Sequence, residues 1–307
     1  MRWIVVALIW GLSGWVPSHA QGTLLERRES LYNNIYVYER GDYVVMQFGK
    51  NQRFWTESVY DRRDRKILPV VYTQYLTLAL VYANKLDSVL EIGLGGGRTV
   101  AYLNLHVPTL SITSVELDPD VIDLAKIYFD VVPSESLQLV ERDGRIHLLR
   151  DVRQHDVILV DAYRGPFVPF HMLTREFYQT AQRRLTEGGV LAQNIEPTTM
   201  LFDAAIATMA TVFDHVELYP AQGNVVAIAY DGPRRAASTL NARAESLQRE
   251  HDFRYRLPDL LQDRRFLTGT IDAEPLTDDF APVEMLKSIQ RHNLGIDGIS
   301  TPAGSEK

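Results

Sequence analysis

The run Glu91-Ile92-Gly93-Leu94-Gly95-Gly96-Gly97 follows an apolar strand and opens a helix. Glycines there let the backbone turn sharply and approach a ligand with no Cβ in the way. The next strand ends in Glu116, nineteen residues after Gly97, where an acidic side chain can accept both hydroxyl protons of a ribose. Asp143-Gly144 follows a third strand, where a carboxylate can accept the exocyclic amino group of adenine. Set in order at the ends of three successive strands, Gly93, Gly95, Gly97, Glu116, Asp143 and Gly144 form a candidate nucleoside site. The dinucleotide pattern lacks its third glycine at the expected offset, which disfavours NAD, and no Gly-Lys-Ser/Thr follows to make a P-loop. The spacing suits S-adenosylmethionine (AdoMet) or its decarboxylated form as cosubstrate.

These residues need a parallel sheet to hold them. From 67 to 230 strand and helix patterns alternate: a helix over 67–82 with Pro69 in its first turn, then strands at 88–92, 111–116, 137–140, 157–160 and 190–194. Helices are expected from Arg98, from Pro119 to Phe129 and from Leu173 to Leu185, and a hairpin at 216–219 and 225–230 closes the zone. Alternation of this kind implies a doubly wound α/β sheet of the class I methyltransferase-like, Rossmann-like type, with an antiparallel edge. Before it, 34–39, 43–48 and 53–59 read as a small antiparallel β unit with turns at Arg40-Gly41-Asp42 and Gly49-Lys50-Asn51. The expected division is a leader at 1–20, the β unit at 21–66, the nucleoside-binding domain at 67–230, and a helical extension and tail at 231–307, the tail beginning near Asn293.

Composition narrows the function further. The 307 residues contain no cysteine, which excludes disulfides, thiolate metal sites and cysteine nucleophiles. The histidines lack metal-ligand spacing, so no metal is expected. A net charge of −7 argues against nucleic acid as a partner. Arg2, the apolar run Trp3 to Leu12 and Ser18-His19-Ala20 read as a secretory leader cut after Ala20. The run is too short to span a bilayer, which takes roughly 20 residues. The expectation is an exported chain, periplasmic or secreted, that begins at Gln21 and has no stable membrane insertion.

Five segments, Val89 to Gly97, Val115 to Val121, Glu141 to Gly144, Val157 to Asp161 and Leu185 to Val190, resemble the polyamine aminopropyltransferases, the spermidine synthase family. The first three are shared with class I methyltransferases. Leu276 to Glu284 is similar to the bacterial spermidine synthase-like branch. The resemblance implies transfer of an aminopropyl group from decarboxylated AdoMet to a small-molecule amine such as putrescine, in a homodimer. It also implies site residues. Asp161 matches the family's catalytic aspartate, and Tyr72 and Gln74 match positions near the polyamine; Tyr163, close to Asp161, would shape the pocket. A free amine has a pKa near 10 and must lose a proton before it attacks, and a carboxylate beside it can take that proton.

Two positions depart from the family pattern. Position 96, where an aspartate would hold the aminopropyl ammonium, is glycine, with Arg98 two residues on; position 164, where a second aspartate would stand, is arginine. Arg98 and Arg164 therefore point to an alternative, a methyltransferase or other transferase that reads the carboxylate of intact AdoMet. The leader points to another, an exported non-catalytic protein that binds a nucleoside or polyamine.

Overall fold

The computed structural model describes residues 22–50, 53–165, 167–267 and 271–279. The leader, the end of the Leu276 to Glu284 stretch and the tail from Asn293 lie outside them. Four strands come first: β1 (Thr23–Glu29), β2 (Asn34–Arg40), β3 (Tyr43–Lys50) and β4 (Arg53–Asp61), paired antiparallel in chain order. Alternation in β2 and β3 buries Ile35, Val37, Val44 and Met46, which join the same core as the first helices of the main sheet. β1 was not expected. Its TLLERRE sequence has no apolar alternation, because it is a charged edge strand with little buried surface.

Two short helices follow, α1 (Val71–Leu76) and α2 (Ala79–Tyr82), where one helix over 67–82 was expected. Pro69 lies ahead of α1, and Val70 is its extended N-cap. The break comes at Thr77, whose hydroxyl donates to the Gln74 carbonyl at 2.6 Å and meets the Tyr255 hydroxyl at 2.7 Å. Local hydroxyl bonding of this kind competes with the helix ladder.

The main unit then runs β5 (Ser88–Ile92), α3 (Arg98–His106), β6 (Ser111–Glu116), α4 (Pro119–Tyr128), β7 (Leu137–Glu141), α5 (Gly144–Arg150), β8 (His155–Val160), α6 (Arg175–Arg183), β9 (Leu185–Ile195) and α7 (Phe202–Ala210). It closes with β10 (His215–Ala221), β11 (Asn224–Tyr230), α8 (Ala237–Glu250), α9 (Leu257–Leu260) and β12 (Arg265–Phe266). The strand order is β12-β10-β11-β9-β8-β5-β6-β7. Strands from β9 to β7 are parallel, and β11, β10 and β12 add an antiparallel edge. This is the expected class I methyltransferase-like sheet with a separate N-terminal antiparallel sheet. β5 and β8 are buried along nearly their whole length, so neither shows the alternation of a half-exposed strand.

The order reverses between β5 and β8. The chain winds outward through β6 and β7, then returns to the other side of β5, and this opens a crevice at the carboxyl ends of β5 and β8. The C-terminal stretch docks beside it. Leu276 N–H donates to the Thr208 hydroxyl, Arg145 pairs with Asp278, and the buried Arg264–Glu217 pair fixes the chain ahead of β12.

Candidate active site

The crevice contains a cavity of about 420 Å³. Gly93 leaves β5 with φ of 95°, and a Cβ there would lie 2.3 Å from the Asp161 carbonyl oxygen. A side chain at 93 would push the β5 and β8 ends apart, so this glycine sets the distance between the nucleoside loop and Asp161. Gly95 and Gly97 also take positive φ and bring the loop into α3. A Cβ at Gly144 would meet Ile92 Cγ2 at 2.1 Å, so the start of α5 presses against β5.

Glu116 lies at the end of β6 and lines the cavity. Its Oε2 accepts the Leu94 N–H at 2.9 Å and the Gly95 N–H at 3.4 Å; its Oε1 accepts the Asp118 N–H at 3.0 Å. The carboxylate thus holds the glycine loop in shape. Each oxygen has two acceptor sites, so Oε2 is filled and Oε1 keeps one for a ribose hydroxyl. Burial raises its pKa despite these three backbone donors. Asp143 caps α5 through the Ile146 N–H at 2.9 Å, and its second oxygen lies 3.2 Å from His171 Nε2. The His171 contact leads the causes that hold Asp143 below its ordinary value.

Asp161 stands at the mouth of β8 between two donors. The Tyr72 hydroxyl donates to Oδ2 at 3.1 Å and the Asn194 side-chain amide to Oδ1 at 2.9 Å. Asn194 is steadied by Asn224, whose amide donates to Asn194 Oδ1 at 2.9 Å. The Tyr163 hydroxyl donates to the Asn194 carbonyl at 3.1 Å. Burial pushes the Asp161 carboxyl up to about 6, against the pull of its two donors. Burial, and then the Asp161 charge, raises Tyr72 and Tyr163, so both stay neutral hydroxyl donors.

The structure brings together Gly93, Gly95, Glu116, Asp143, Gly144, Asp161 and Tyr163 around the cavity. Tyr72 reaches Asp161 from α1. Gly97 stands apart as the N-cap of α3. Gln74 does not line the cavity; its amide donates to the Leu68 carbonyl at 2.8 Å and fixes the chain ahead of α1. Among the described residues no group of three His, Asp or Glu side chains is placed to hold a metal ion.

Arg98 does not stand ready to read a ligand carboxylate. Its guanidinium donates to the Phe129 carbonyl at 2.7 Å and the Arg65 carbonyl at 3.0 Å, and lies 4.5 Å from the Tyr60 ring centre. It ties α3 to the end of α4. Arg164 is exposed at the rim of the cavity. Position 96 has no room for an aspartate. A Cβ there would lie 2.6 Å from Ser58 Cβ and 2.8 Å from Phe129 Cδ1, and Ser58 Oγ accepts the Gly96 N–H at 2.8 Å.

Four site residues were not found by sequence reasoning. Asn33, Glu57 and His171 line the cavity, and Asn194 orients Asp161. Asn33 also donates to Asp118 across the two sheets at 3.2 Å. The buried polar pair Gln193-Asn194 after the apolar Val190-Leu191-Ala192 of β9 was the one local signal.

Comparison with known proteins gives the family and the fold. The family model for the spermine/spermidine synthase domain matches residues 70–222. The polyamine aminopropyltransferase of Vibrio vulnificus (strain CMCP6) is 30% identical over 284 residues, covering 88% of this chain and 93% of the relative. A spermidine synthase solved in complex with the transition state analogue AdoDATO aligns with TM-score 0.64 at 19% identity, over 89% of this chain and 88% of its own. Human methyltransferase-like protein 13 in complex with SAH aligns with TM-score 0.54 at 21% identity, over 70% and 98%. The last two are likenesses of fold. With the match to the Vibrio protein along nearly its whole length, the chain belongs to the polyamine aminopropyltransferase family, the spermidine synthases, a family of transferases.

Proposed function

We propose that the protein transfers the aminopropyl group of decarboxylated AdoMet to an amine such as putrescine. The observation that carries this reading is Asp161, a carboxylate raised by burial, held between Tyr72 and Asn194, and facing the cavity that Glu116 and Asp143 line. Glu116 would take a ribose hydroxyl at the free site of Oε1, the 3.4 Å Gly95 contact giving way to a second, and Asp143 the adenine amino group. The acceptor amine enters as a cation, which the carboxylates favour, and gives a proton to Asp161. The neutral nitrogen then attacks the propyl carbon next to the sulfonium. A C–N bond forms, the C–S electron pair returns to sulfur, and methylthioadenosine leaves. Tyr72 and Asn194 fix the orientation of the base during the proton transfer.

The methyltransferase alternative loses most of its support from Arg98, whose two terminal nitrogens donate to backbone carbonyls. Release of methylthioadenosine on mixing the protein with decarboxylated AdoMet and putrescine tests the reading. Undiminished release by Asp161→Asn would overturn the role of Asp161. The family resemblance supports a homodimer, and the apolar leader ending in Ser18-His19-Ala20 supports export.

A further inference from the structure

Glu57 is a carboxylate that the mechanism above does not use. It projects from β4 of the N-terminal sheet and lines both the large cavity and a smaller one of about 40 Å³ beside Tyr72 and Asp161. Its Oε1 is buried without a hydrogen-bond partner. Burial, then the Asp161 and Glu116 charges, raises its pKa well above the carboxylate range. A buried carboxyl oxygen with no donor is costly, and a cationic ligand that supplies N–H groups relieves that cost. The nearby arginines do not do so: Arg98 lines the smaller cavity but its terminal nitrogens bond the Phe129 and Arg65 carbonyls and its buried Nε reaches no acceptor, and Arg164 is exposed at the rim.

The neighbour of Glu57 explains its place. Ser58 fills the space beside Gly96 and accepts the Gly96 N–H. The same strand therefore closes the glycine loop to any side chain and delivers the Glu57 carboxylate one residue away. We infer that Glu57 is a specificity-determining residue whose carboxylate receives the terminal ammonium of the aminopropyl chain of the nucleoside cosubstrate. The inference rests on the reading of decarboxylated AdoMet as that cosubstrate. Intact AdoMet carries a carboxylate on the carbon that bears the same ammonium, and this would face Glu57 and Asp161. The Asp161 charge disfavours that carboxylate, and a second anion there keeps Glu57 protonated and unable to pair with the ammonium, so Glu57 separates the two forms.

The test is calorimetric titration of wild type, Glu57→Gln and Glu57→Asp with methylthioadenosine, decarboxylated AdoMet and AdoMet. Methylthioadenosine lacks the chain, so its Kd stays the same in Glu57→Gln and also reports a folded site. Loss of a charge-assisted contact weakens decarboxylated AdoMet by about tenfold or more. AdoMet is weakened less or gains, so the ratio of the two affinities falls by about tenfold. Glu57→Asp keeps the charge and keeps most of the ratio. An unchanged ratio in Glu57→Gln, or equal effects of Glu57→Asp and Glu57→Gln, overturns the assignment. Weaker putrescine binding with an unchanged ratio does the same. Wild type that binds methylthioadenosine but prefers intact AdoMet refutes the cosubstrate reading instead.

Discussion

Replacing Asp161 by asparagine keeps the shape of the side chain and removes its charge. If Asp161 is the base, the acid limb of kcat/KM reports its titration in the free enzyme. Burial sets that carboxyl at about 6. Between pH 7 and pH 5 its ionised fraction then falls about tenfold, whereas an ordinary aspartate near 3.9 would stay almost wholly ionised. Glu57 is coupled to Asp161 through its charge, so the limb belongs to the pair. The assay is methylthioadenosine release from decarboxylated AdoMet and putrescine, followed from pH 5 to 8. Asp161→Asn loses turnover by at least the roughly 10²-fold of a general base, and any limb left by Glu57 moves to lower pH because the Asp161 charge no longer raises it. Its methylthioadenosine affinity is unchanged, since Glu116 and Asp143 lie at the other end of the cavity. Stability moves the opposite way. A carboxyl raised from 3.8 to about 6 destabilises the folded chain above pH 6, and the penalty fades as pH falls toward 4. Removing the charge relieves up to about 3 kcal/mol at neutral pH. The variant therefore melts higher than wild type at pH 8, and the gap closes between pH 6 and 4. An acid limb left at its wild-type position in Asp161→Asn, or a loss under about tenfold, refutes Asp161 as the base.

Three further outcomes are expected. Glu116→Gln weakens methylthioadenosine binding by about 1.5–3 kcal/mol in a titration, because a charged acceptor for the ribose becomes a neutral amide. The glutamine is preferred to alanine, since alanine would also orphan the Leu94 and Gly95 N–H groups that Glu116 holds. Gly96→Asp lowers Tm and does not raise polyamine affinity, because its Cβ would press on Ser58 and Phe129; overpacking of this kind costs about 1–3 kcal/mol, and a stable variant with tighter putrescine binding would contradict the packing. Mass spectrometry of the protein from its own host finds Gln21 at the N-terminus, and an intact Met1 on cytosolic protein would contradict export.

Local pattern was enough for the main sheet. β5, β6, β7, β10 and β11 were found because short segments rich in Val, Ile and Leu are bounded by turn residues, and the glycine turn, Glu116 and Asp143 lie at or just past the ends of three of them. Nucleoside chemistry was legible for that reason: each residue lies at the end of its own strand, and the order along the chain is the order of the site. Elements governed by contacts distant in sequence were not legible. The expected helix over 67–82 breaks at Thr77 because its hydroxyl meets Tyr255, 178 residues away. β9 extends back from the expected 190–194 to Leu185, because Leu185 pairs with His155 of β8 across a bulge that contains Gly188 and Gly189. The roles of Arg98, Gly96 and Glu57 also lay beyond sequence pattern. Arg98 has the type and position of an anion reader, and its carbonyl partners at Phe129 and Arg65 turn it into a brace. Gly96 looks like an empty seat for an aspartate until β4 brings Ser58 against it. Glu57 is one polar residue on a half-exposed strand until the second sheet packs on the first and buries its oxygen beside Asp161. Charge and hydrogen-bond capacity belong to the residue, but whether they face a ligand or a carbonyl depends on which distant segment packs against it.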